Sequence, residues 1–305
     1  MSDSNLFGND SNSYANIFTF LGFPLSRDLD EQVDAVVMGV PFDLGTSARS
    51  GARYGPTAVR QASAQLRWEE KRWPWTFALT DKLAVIDYGD IHFDDGQGGQ
   101  MVDNVTEEAS RVMAAGKMLL TLGGDHFVTL PLLRAAFKHH GKMSLLHFDA
   151  HTDTEDHPGD YAHGSMFLRA GNENIIDPDK SIQIGIRTEY DYDNHKFTVL
   201  DAPWANGHSV DEIVEQIRAT VGDNPVYLSF DIDCLDPAYA PGTGTPVAGG
   251  LSSDKALQIV RSLQGLNIVA MDVMEVAPAY DHAEITALAG ATIALDMLHM
   301  IAASK

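Results

Sequence analysis

The chain alternates short apolar runs with amphipathic segments of helical period, and this pattern limits the possible folds more than any other feature. The apolar, β-branched runs predict buried strands at 34–40, 83–89, 118–124, 143–148, 181–186, 196–200, 225–230 and 267–273. Helical spacing of apolar residues lies between most of them, at 105–118, 128–140, 209–221 and 252–264. Such alternation forms βαβ crossovers. It therefore predicts an α/β fold, a three-layer α/β/α sandwich with a central, mostly parallel sheet.

The pattern runs without a linker, repeat or low-complexity tract that would divide it. A length of 305 residues would allow two domains, but the unbroken alternation predicts one domain at 16–305 after a flexible N-terminal segment at 1–15. The stretch 285–303 has the length of a membrane span, yet Asp296 and His299 interrupt it. We expect it to be a helix that is buried by the protein itself.

The chain is strongly acidic, with a formal net charge of −22 from 43 acidic and 21 basic side chains. This charge argues against a surface for nucleic acid or anionic membrane and favours cations as partners, although acidity can also serve solubility alone. Cys234 is the one cysteine and can form no internal disulfide. Since the N-terminal stretch also lacks the basic start and apolar core of a signal peptide, we expect a cytoplasmic protein.

Polar residues follow three of the predicted strands at their carboxyl ends, where open parallel sheets bind ligands. The clusters are GGDH at 123–126, DAHTD at 149–153 and DIDCLDP at 231–237. Because side chains alternate along an extended chain, Asp149, His151 and Asp153 can converge from one side. Asp231 and Asp233 can do the same. These strand ends therefore predict a common site.

With His126 added, the set comprises four carboxylates and two imidazoles. This exceeds what one zinc ion takes, and its charge of about −4 matches two divalent cations. Oxygen-rich ligation with some imidazole suits Mn²⁺. Cys234 lies beside much negative charge, so we expect its thiol to keep its proton and to be a small core residue instead of a ligand.

Each cluster also has a plain structural interpretation. GGDH alone favours a glycine turn with Asp125 as a helix cap and His126 exposed, and in DIDCLDP capping and turn formation compete with a metal site. DAHTD alone leaves both interpretations open. All three at successive strand ends favour the metal site, because so many neighbouring carboxylates would repel one another without a cation.

Together with the segments 39–60, 184–189 and 271–281, these motifs resemble the signature stretches of the ureohydrolase family, the arginases and agmatinases, and are most similar to the agmatinase branch. The resemblance covers nearly all of the chain beyond the first 30 residues. It implies the same α/β/α sandwich, two Mn²⁺ ions per subunit and assembly into homotrimers or homohexamers. The implied ligands are His126, Asp149, Asp153 and Asp231 for one ion and Asp149, His151, Asp231 and Asp233 for the other, with Asp149 and Asp231 bridging.

The resemblance also implies catalytic roles for Asp153, His163 and Glu275. Asp153 would relay a proton, and His163 in YAHGSMF matches the family's proton-shuttling histidine, although a lone histidine there would more often lie on the surface. Glu275 lies near the end of an apolar strand and matches the family's guanidinium-binding glutamate. An ion pair with an arginine is the alternative for Glu275.

The implied reaction is hydrolysis of a guanidinium group by hydroxide that two cations generate from a shared water, with urea and a primary amine as products. The loop 154–162 lacks the Asn and Ser with which arginases bind the amino acid head group. Agmatine, cleaved to putrescine in polyamine biosynthesis, is therefore the expected substrate, and 4-guanidinobutyrate or a related guanidino acid is the alternative. Glu155, Asp156 and Asp160 could favour the distal ammonium of agmatine, or they could be solvated surface charges.

Two other functional classes are less consistent with the residues. A single-zinc deacetylase on a related sandwich needs only one Asp-His-Asp set, and an inactive metal scaffold would show a broken ligand set or lack His163. The glycine-rich segment 48–56 lacks the GK[ST] of a phosphate-binding loop, and Pro56 is expected to begin a helix. Segment 66–75 mixes Arg, Lys and Trp, and we expect aromatic packing under a loop or at a subunit contact there.

Overall fold

The computed structural model describes residues 19–305, so the N-terminal segment predicted at 1–15 lies outside the described residues. Its strands are β1 Ala35–Val40, β2 Val85–Asp90, β3 Met118–Gly123, β4 Ser144–Phe148, β5 Ile182–Ile186, β6 Thr198–Asp201, β7 Val226–Asp231 and β8 Ile268–Met274. They form one sheet in the order β2-β1-β3-β8-β7-β4-β5-β6, in which every neighbouring pair is parallel. Each predicted strand is present, and the predicted α/β/α sandwich with a parallel sheet is confirmed.

The α-helices of the described chain are α1 Gly55–Ser63, α2 Gly98–Ala114, α3 Thr129–His140, α4 Met166–Asn172, α5 Ala202–Gly207, α6 Val210–Val221, α7 Ser253–Arg261 and α8 Ile285–Ala303. Pro56 lies in the first turn of α1, as predicted. The helix predicted at 105–118 was wrong at both ends. It begins at Gly98, where a Cβ would lie 2.7 Å from the ring of Tyr161, so this position requires glycine.

Helices cover both faces of the sheet, and each face has its own core. Along β1, Val36 and Met38 belong to the core beneath α2 and α3, whereas the alternate residues Ala35 and Val37 belong to the core beneath α1, α6, α7 and α8. All six residues of β1 are buried. Because both faces of a parallel sheet are covered, its strands are continuous apolar runs, and this is why they could be found in the sequence.

Helix α8 is, within residues 19–305, the one helix long and apolar enough to cross a membrane, but 78% of its apolar window is buried inside the protein. Its carboxylate Asp296 is fully buried and accepts hydrogen bonds from Trp75 Nε1 at 2.9 Å and from Arg261 Nε at 2.7 Å. The ring of His299 stacks on Trp75. The expected buried helix is confirmed, and its polar residues hold one end of segment 66–75.

Candidate metal centre

Four neighbouring strands end at the candidate site. In the sheet, β3, β8, β7 and β4 are consecutive, and their carboxyl ends lead to His126, Glu275, Asp231 and Asp149, respectively. Parallel strands end at the same edge of a sheet. Residues that are far apart in the sequence therefore meet at this edge because of the strand order.

A tight turn after β3 places His126. A Cβ at Gly124 would lie 1.9 Å from the carbonyl oxygen of Phe42, so only glycine fits this close approach. Asp125 then accepts a hydrogen bond from the Phe127 amide at 3.1 Å and caps the short 3₁₀ turn, as the capping interpretation predicted. The exposed histidine of that interpretation was wrong, because His126 is fully buried.

Three carboxylates surround the imidazole of His126. Its Nδ1 lies 3.1 Å from Asp149 Oδ2, 3.0 Å from Asp153 Oδ2 and 3.1 Å from Asp231 Oδ2. None of these three contacts has the geometry of a hydrogen bond, so Nδ1 has no hydrogen-bond partner in the part of the chain that the structure describes. A buried nitrogen lone pair and three carboxylate oxygens that converge in this way can coordinate one cation.

A second group of ligand atoms lies beside the first. His151 Nδ1 is 3.2 Å from Asp149 Oδ1 and 3.1 Å from Asp233 Oδ2. Asp149 thus presents one oxygen to each group, which is the arrangement of a bridging carboxylate. Ligand atoms within 4.8 Å of one another come from Asp149, His151 and Asp233 in this group and from His126, His147, Asp149 and Asp153 in the other. The cluster is suited to binding a pair of metal ions.

The charges of the cluster are balanced poorly by the protein itself. Burial raises the pKa of Asp231 well above its ordinary value, and the charges of Asp233 and Asp149 raise it further. Burial lowers the pKa of His151, but the carboxylates of Asp233 and Asp149 outweigh this effect and raise it to about 12. Carboxylates that are buried and mutually repelling favour bound cations. The donor set and the unpartnered Nδ1 of His126 therefore fit two divalent ions.

Cys234 is fully buried next to the cluster, and its Sγ donates to the Ile184 carbonyl at 3.5 Å. Burial raises the pKa of its thiol well above the ordinary value, and the neighbouring aspartates add to this effect. The prediction that Cys234 is a small core residue is confirmed, and the raised pKa supports a thiol that keeps its proton.

Two of the predicted catalytic residues have unusual backbone conformations. Asp153 has a φ of 52° and Glu275 a φ of 65°, both in the left-handed region that residues other than glycine rarely adopt. Such a conformation costs about 1–3 kcal/mol and clusters at functional sites. The surrounding fold holds both side chains in place at this cost.

Glu275 is 1% exposed, and its two carboxylate oxygens have different surroundings. Oε1 accepts hydrogen bonds from the His126 amide and from His163 Nδ1, both at 2.8 Å. Oε2 is buried and has no partner among the described residues. The arginine ion pair considered for Glu275 is not what the structure shows, and Oε2 remains able to accept hydrogen bonds from a ligand.

His163 is held at both ring nitrogens. The Ser47 amide donates to His163 Nε2 at 3.0 Å, so the proton of the neutral ring lies on Nδ1, which faces Glu275. Burial lowers the pKa of His163, but the hydrogen bond and charge of Glu275 outweigh burial and raise it to about 9. Ser47 Oγ lies 2.8 Å from Nε2 and can accept a hydrogen bond when that nitrogen gains a proton. The sequence analysis missed Ser47.

A cavity of about 550 Å³ opens over the cluster. Glu155 and Asp160 line it together with His163 and the ligands His151 and Asp153, whereas the neighbouring acid at position 156 does not. Of the described residues that line the cavity, none is lysine or arginine. Its wall therefore suits a cationic ligand better than an anionic one.

Comparison with known proteins agrees with this geometry. A model of the arginase family matches residues 33–300. The chain belongs to the arginase family. The agmatinase of Edwardsiella ictaluri is 59% identical over 297 residues, which are 97% of each chain. The crystal structure of a hypothetical agmatinase from Burkholderia thailandensis has a TM-score of 0.92 and 51% identity, covering 96% of this chain and 93% of that one. Proclavaminate amidino hydrolase from Streptomyces clavuligerus also has a TM-score of 0.92, with 38% identity and coverage of 97% and 100%.

The resemblance predicted from the motifs is thus confirmed, but the sequence analysis of this arginase-family chain missed His147. This residue is fully buried, and its Nε2 lies 2.8 Å from Asp149 Oδ2. It precedes Asp149 by two residues and so lies on the same side of the extended chain. Extending the alternation of Asp153, His151 and Asp149 back by one step would have found it.

A second group that the sequence analysis missed lies behind His126. Ser229 Oγ donates to Asp272 Oδ1 at 2.7 Å, so the same hydroxyl must accept from His126 Nε2, which lies 2.8 Å away. Asp272 also accepts from Thr129 Oγ1 and from the Tyr227 hydroxyl. This series of hydrogen bonds fixes the proton of the His126 ring on Nε2 and leaves Nδ1 free to coordinate a metal ion.

Replacing Asp272 with Asn should weaken metal binding. Loss of such an outer partner lowers metal affinity about 10- to 100-fold, because the ring is no longer held in one tautomer. Titration of the metal-free protein with Mn²⁺, followed by electron paramagnetic resonance, measures the change. Asp103→Asn on the exposed side of α2 is the matched control, and equal affinity of the two variants would show that Asp272 does not support His126.

Proposed function

We propose that this protein hydrolyses agmatine to putrescine and urea with two bound Mn²⁺ ions. The observation that carries the proposal is the unpartnered Oε2 of Glu275, buried beside a cluster suited to a metal pair. A guanidinium group donates paired hydrogen bonds to a carboxylate, so it is the ligand that this oxygen fits. The high identity to a relative named as an agmatinase supports the same substrate.

The two groups of side chains support the proposed ligands. The first ion would be held by His126, Asp149, Asp153 and Asp231, and the second by Asp149, His151 and Asp233. Asp231 is proposed as a further ligand of the second ion because the family resemblance implies it. When bound, the ions supply an acidified water as the nucleophile and stabilise charge on the tetrahedral species. Mn²⁺ is proposed because the donors are mostly carboxylate oxygens with some imidazole nitrogen.

Glu275 is proposed to hold the guanidinium in line for attack. Its Oε1 is fixed by the His126 amide and by His163, so the carboxylate cannot rotate and Oε2 keeps one direction. Collapse of the tetrahedral species requires a proton on the departing amine, and Asp153 would relay it. His163 would exchange protons with solvent through Ser47, whose hydroxyl it contacts.

The rest of the cavity favours a substrate whose distal group is an ammonium over one whose distal group is a carboxylate. Glu155 and Asp160 line the wall, and none of the described lining residues is lysine or arginine. A carboxylate brought next to these acids would meet like charge, which weakens binding. Arginine and 4-guanidinobutyrate are therefore expected to be poorer substrates than agmatine.

The proposal is tested by urea release. Mn²⁺-loaded protein is incubated separately with agmatine, arginine and 4-guanidinobutyrate, and the kcat/KM for urea formation is compared. We expect a preference for agmatine of about 100-fold, since like-charge repulsion opposes the two acids. Equal or faster cleavage of guanidinobutyrate would instead identify the protein as a guanidino-acid ureohydrolase.

Variants of the cavity wall show whether its acids set this preference. Glu155→Gln and Asp160→Asn should reduce it, because each removes a negative charge from the lining. Asp156→Asn is the matched control, since Asp156 belongs to the same loop but does not line the cavity. A preference that falls as much in the control would show that overall charge sets it.

The quaternary structure and location are also proposals. We propose a homotrimer or homohexamer in the cytoplasm, as the family resemblance implies. Trp68 and Trp73, 77% and 71% exposed, offer apolar surface of the kind that subunit contacts bury. Sedimentation equilibrium measures the subunit number, and Trp73→Ser should lower it if this surface is used.

A further inference from the structure

Gln183 is a fully buried polar residue in the apolar strand β5, where it lies between Ile182 and Ile184. Its amide makes three hydrogen bonds. Nε2 donates to the Thr152 carbonyl at 2.7 Å and contacts His147 Nδ1 at 3.0 Å, and Oε1 lies 2.7 Å from His195 Nε2. Neither the motifs nor the proposed chemistry gives this residue a role.

The Thr152 carbonyl fixes the orientation of the Gln183 amide. A carbonyl oxygen can only accept, so the amide nitrogen must face Thr152. The same NH₂ group then donates its second hydrogen to His147 Nδ1, which therefore carries no proton. On the other side, Oε1 accepts from His195 Nε2, so every polar atom of the side chain is used.

This arrangement fixes the tautomer of His147. With Nδ1 bare, the neutral ring carries its proton on Nε2, which lies 2.8 Å from Asp149 Oδ2 and donates to it. The ring therefore supports the carboxylate that belongs to both ligand groups. Although His147 lies among the ligand atoms of the first group, its Nε2 has no lone pair to offer a metal ion.

The amide of Gln183 also holds the backbone next to Asp153. Thr152, whose carbonyl it binds, directly precedes Asp153, which has a φ of 52°. A left-handed aspartate is unfavourable unless its neighbours are restrained. One side chain thus contacts both the histidine behind Asp149 and the peptide before Asp153.

We propose that Gln183 is a positioning residue of the metal centre, which fixes the tautomer of His147 and the backbone before Asp153 and so orients Asp149 and Asp153 toward the cations. His195 anchors the amide from the side away from the cluster. The inference rests on the proposed metal-dependent function, and it concerns a residue that would contact neither metal nor substrate.

The test compares Gln183→Met, which keeps the length of the side chain but removes the amide, with the wild-type protein. We expect Mn²⁺ affinity to fall about 10- to 100-fold, as for other outer partners of metal ligands. In the metal-free protein, ¹⁵N NMR of the His147 ring should show a protonated Nε2 and a bare Nδ1 in the wild type. In Gln183→Met this single-tautomer signature should be lost.

Gln183→Glu provides a second variant of nearly the same shape. A carboxylate can only accept, so His147 Nδ1 should gain a proton while Nε2 keeps the one that faces Asp149, and both ring nitrogens should then give protonated resonances. Ile182→Val is the matched control, because it perturbs the same buried strand without changing a hydrogen bond, and both metal affinity and ring signature should stay unchanged.

The proposal is overturned if Gln183→Met keeps wild-type Mn²⁺ affinity, or if the wild-type ring is protonated on Nδ1. If the proposed function itself is wrong, the wild-type protein releases no urea from agmatine, and this result distinguishes the two failures. The ¹⁵N resonances of the His147 ring are recorded on metal-free protein, so they identify the tautomer whether or not the protein hydrolyses agmatine.

Discussion

Replacing Asp149 with Asn should remove the metal pair and lower agmatine hydrolysis by about 10³-fold or more, because the nucleophile and the stabilising charge are lost together. Asp149 presents one oxygen to each ligand group, with Oδ2 facing His126 and Oδ1 facing His151. An asparagine keeps the shape but loses the negative charge and one acceptor oxygen. Elemental analysis of the loaded protein and a urea assay measure both effects.

The same measurements on Asp156→Asn control for the loss of one acidic charge, since this residue is exposed and lies outside the cluster. The control should keep two Mn²⁺ ions per subunit and the wild-type rate. If Asp149→Asn also kept both, Asp149 could not be the bridging ligand.

Replacing Glu275 with Gln should leave the metal content unchanged and lower kcat/KM for agmatine by about 10²-fold or more. Truncating one partner of a buried, hydrogen-bonded charge pair costs about 2–5 kcal/mol, and here the lost partner is the acceptor of the guanidinium. The variant should also lower the pKa of His163 from about 9 toward about 6.5. The sign follows because the carboxylate of Glu275 favours the protonated ring and the amide does not. NMR titration of His163 measures this shift.

Glu284→Gln is the matched control for that variant. Glu284 has a left-handed backbone like Glu275, with a φ of 60°, but its side chain is exposed at the start of α8. Its replacement should change neither the rate nor the pKa of His163. A Glu275→Gln protein that cleaved agmatine as fast as this control would show that another group binds the guanidinium.

The sheet could be predicted from the sequence because burial on both faces leaves a continuous apolar run for each strand. β4 was expected at 143–148 and is found at Ser144–Phe148. The start of α2 could not be predicted in this way. Gly98 and Gly99 have low helix propensity, so the sequence does not indicate a helix there, and the glycine at position 98 is explained by the Tyr161 ring, which leaves no room for a Cβ.

The candidate site also has a part that could be predicted from the sequence and a part that could not. The six side chains that the motifs indicated converge because period-two alternation and strand ends are both visible in the sequence. The supporting residues were missed. Gln183 and Asp272 are polar residues within apolar strands, which indicates that each needs a partner. Their partners lie far away in sequence, as with Asp272 and Thr129 at a separation of 143 residues, so only the fold identifies them.

The presence of two cations among these side chains is tested most directly by anomalous X-ray diffraction from crystals of the Mn²⁺-loaded protein. We expect two anomalous peaks. One should lie beside His126 Nδ1 and the other beside His151 Nδ1, with Asp149 between them. A single peak, or none, would be incompatible with a pair of ions and with the hydrolysis proposed for this site.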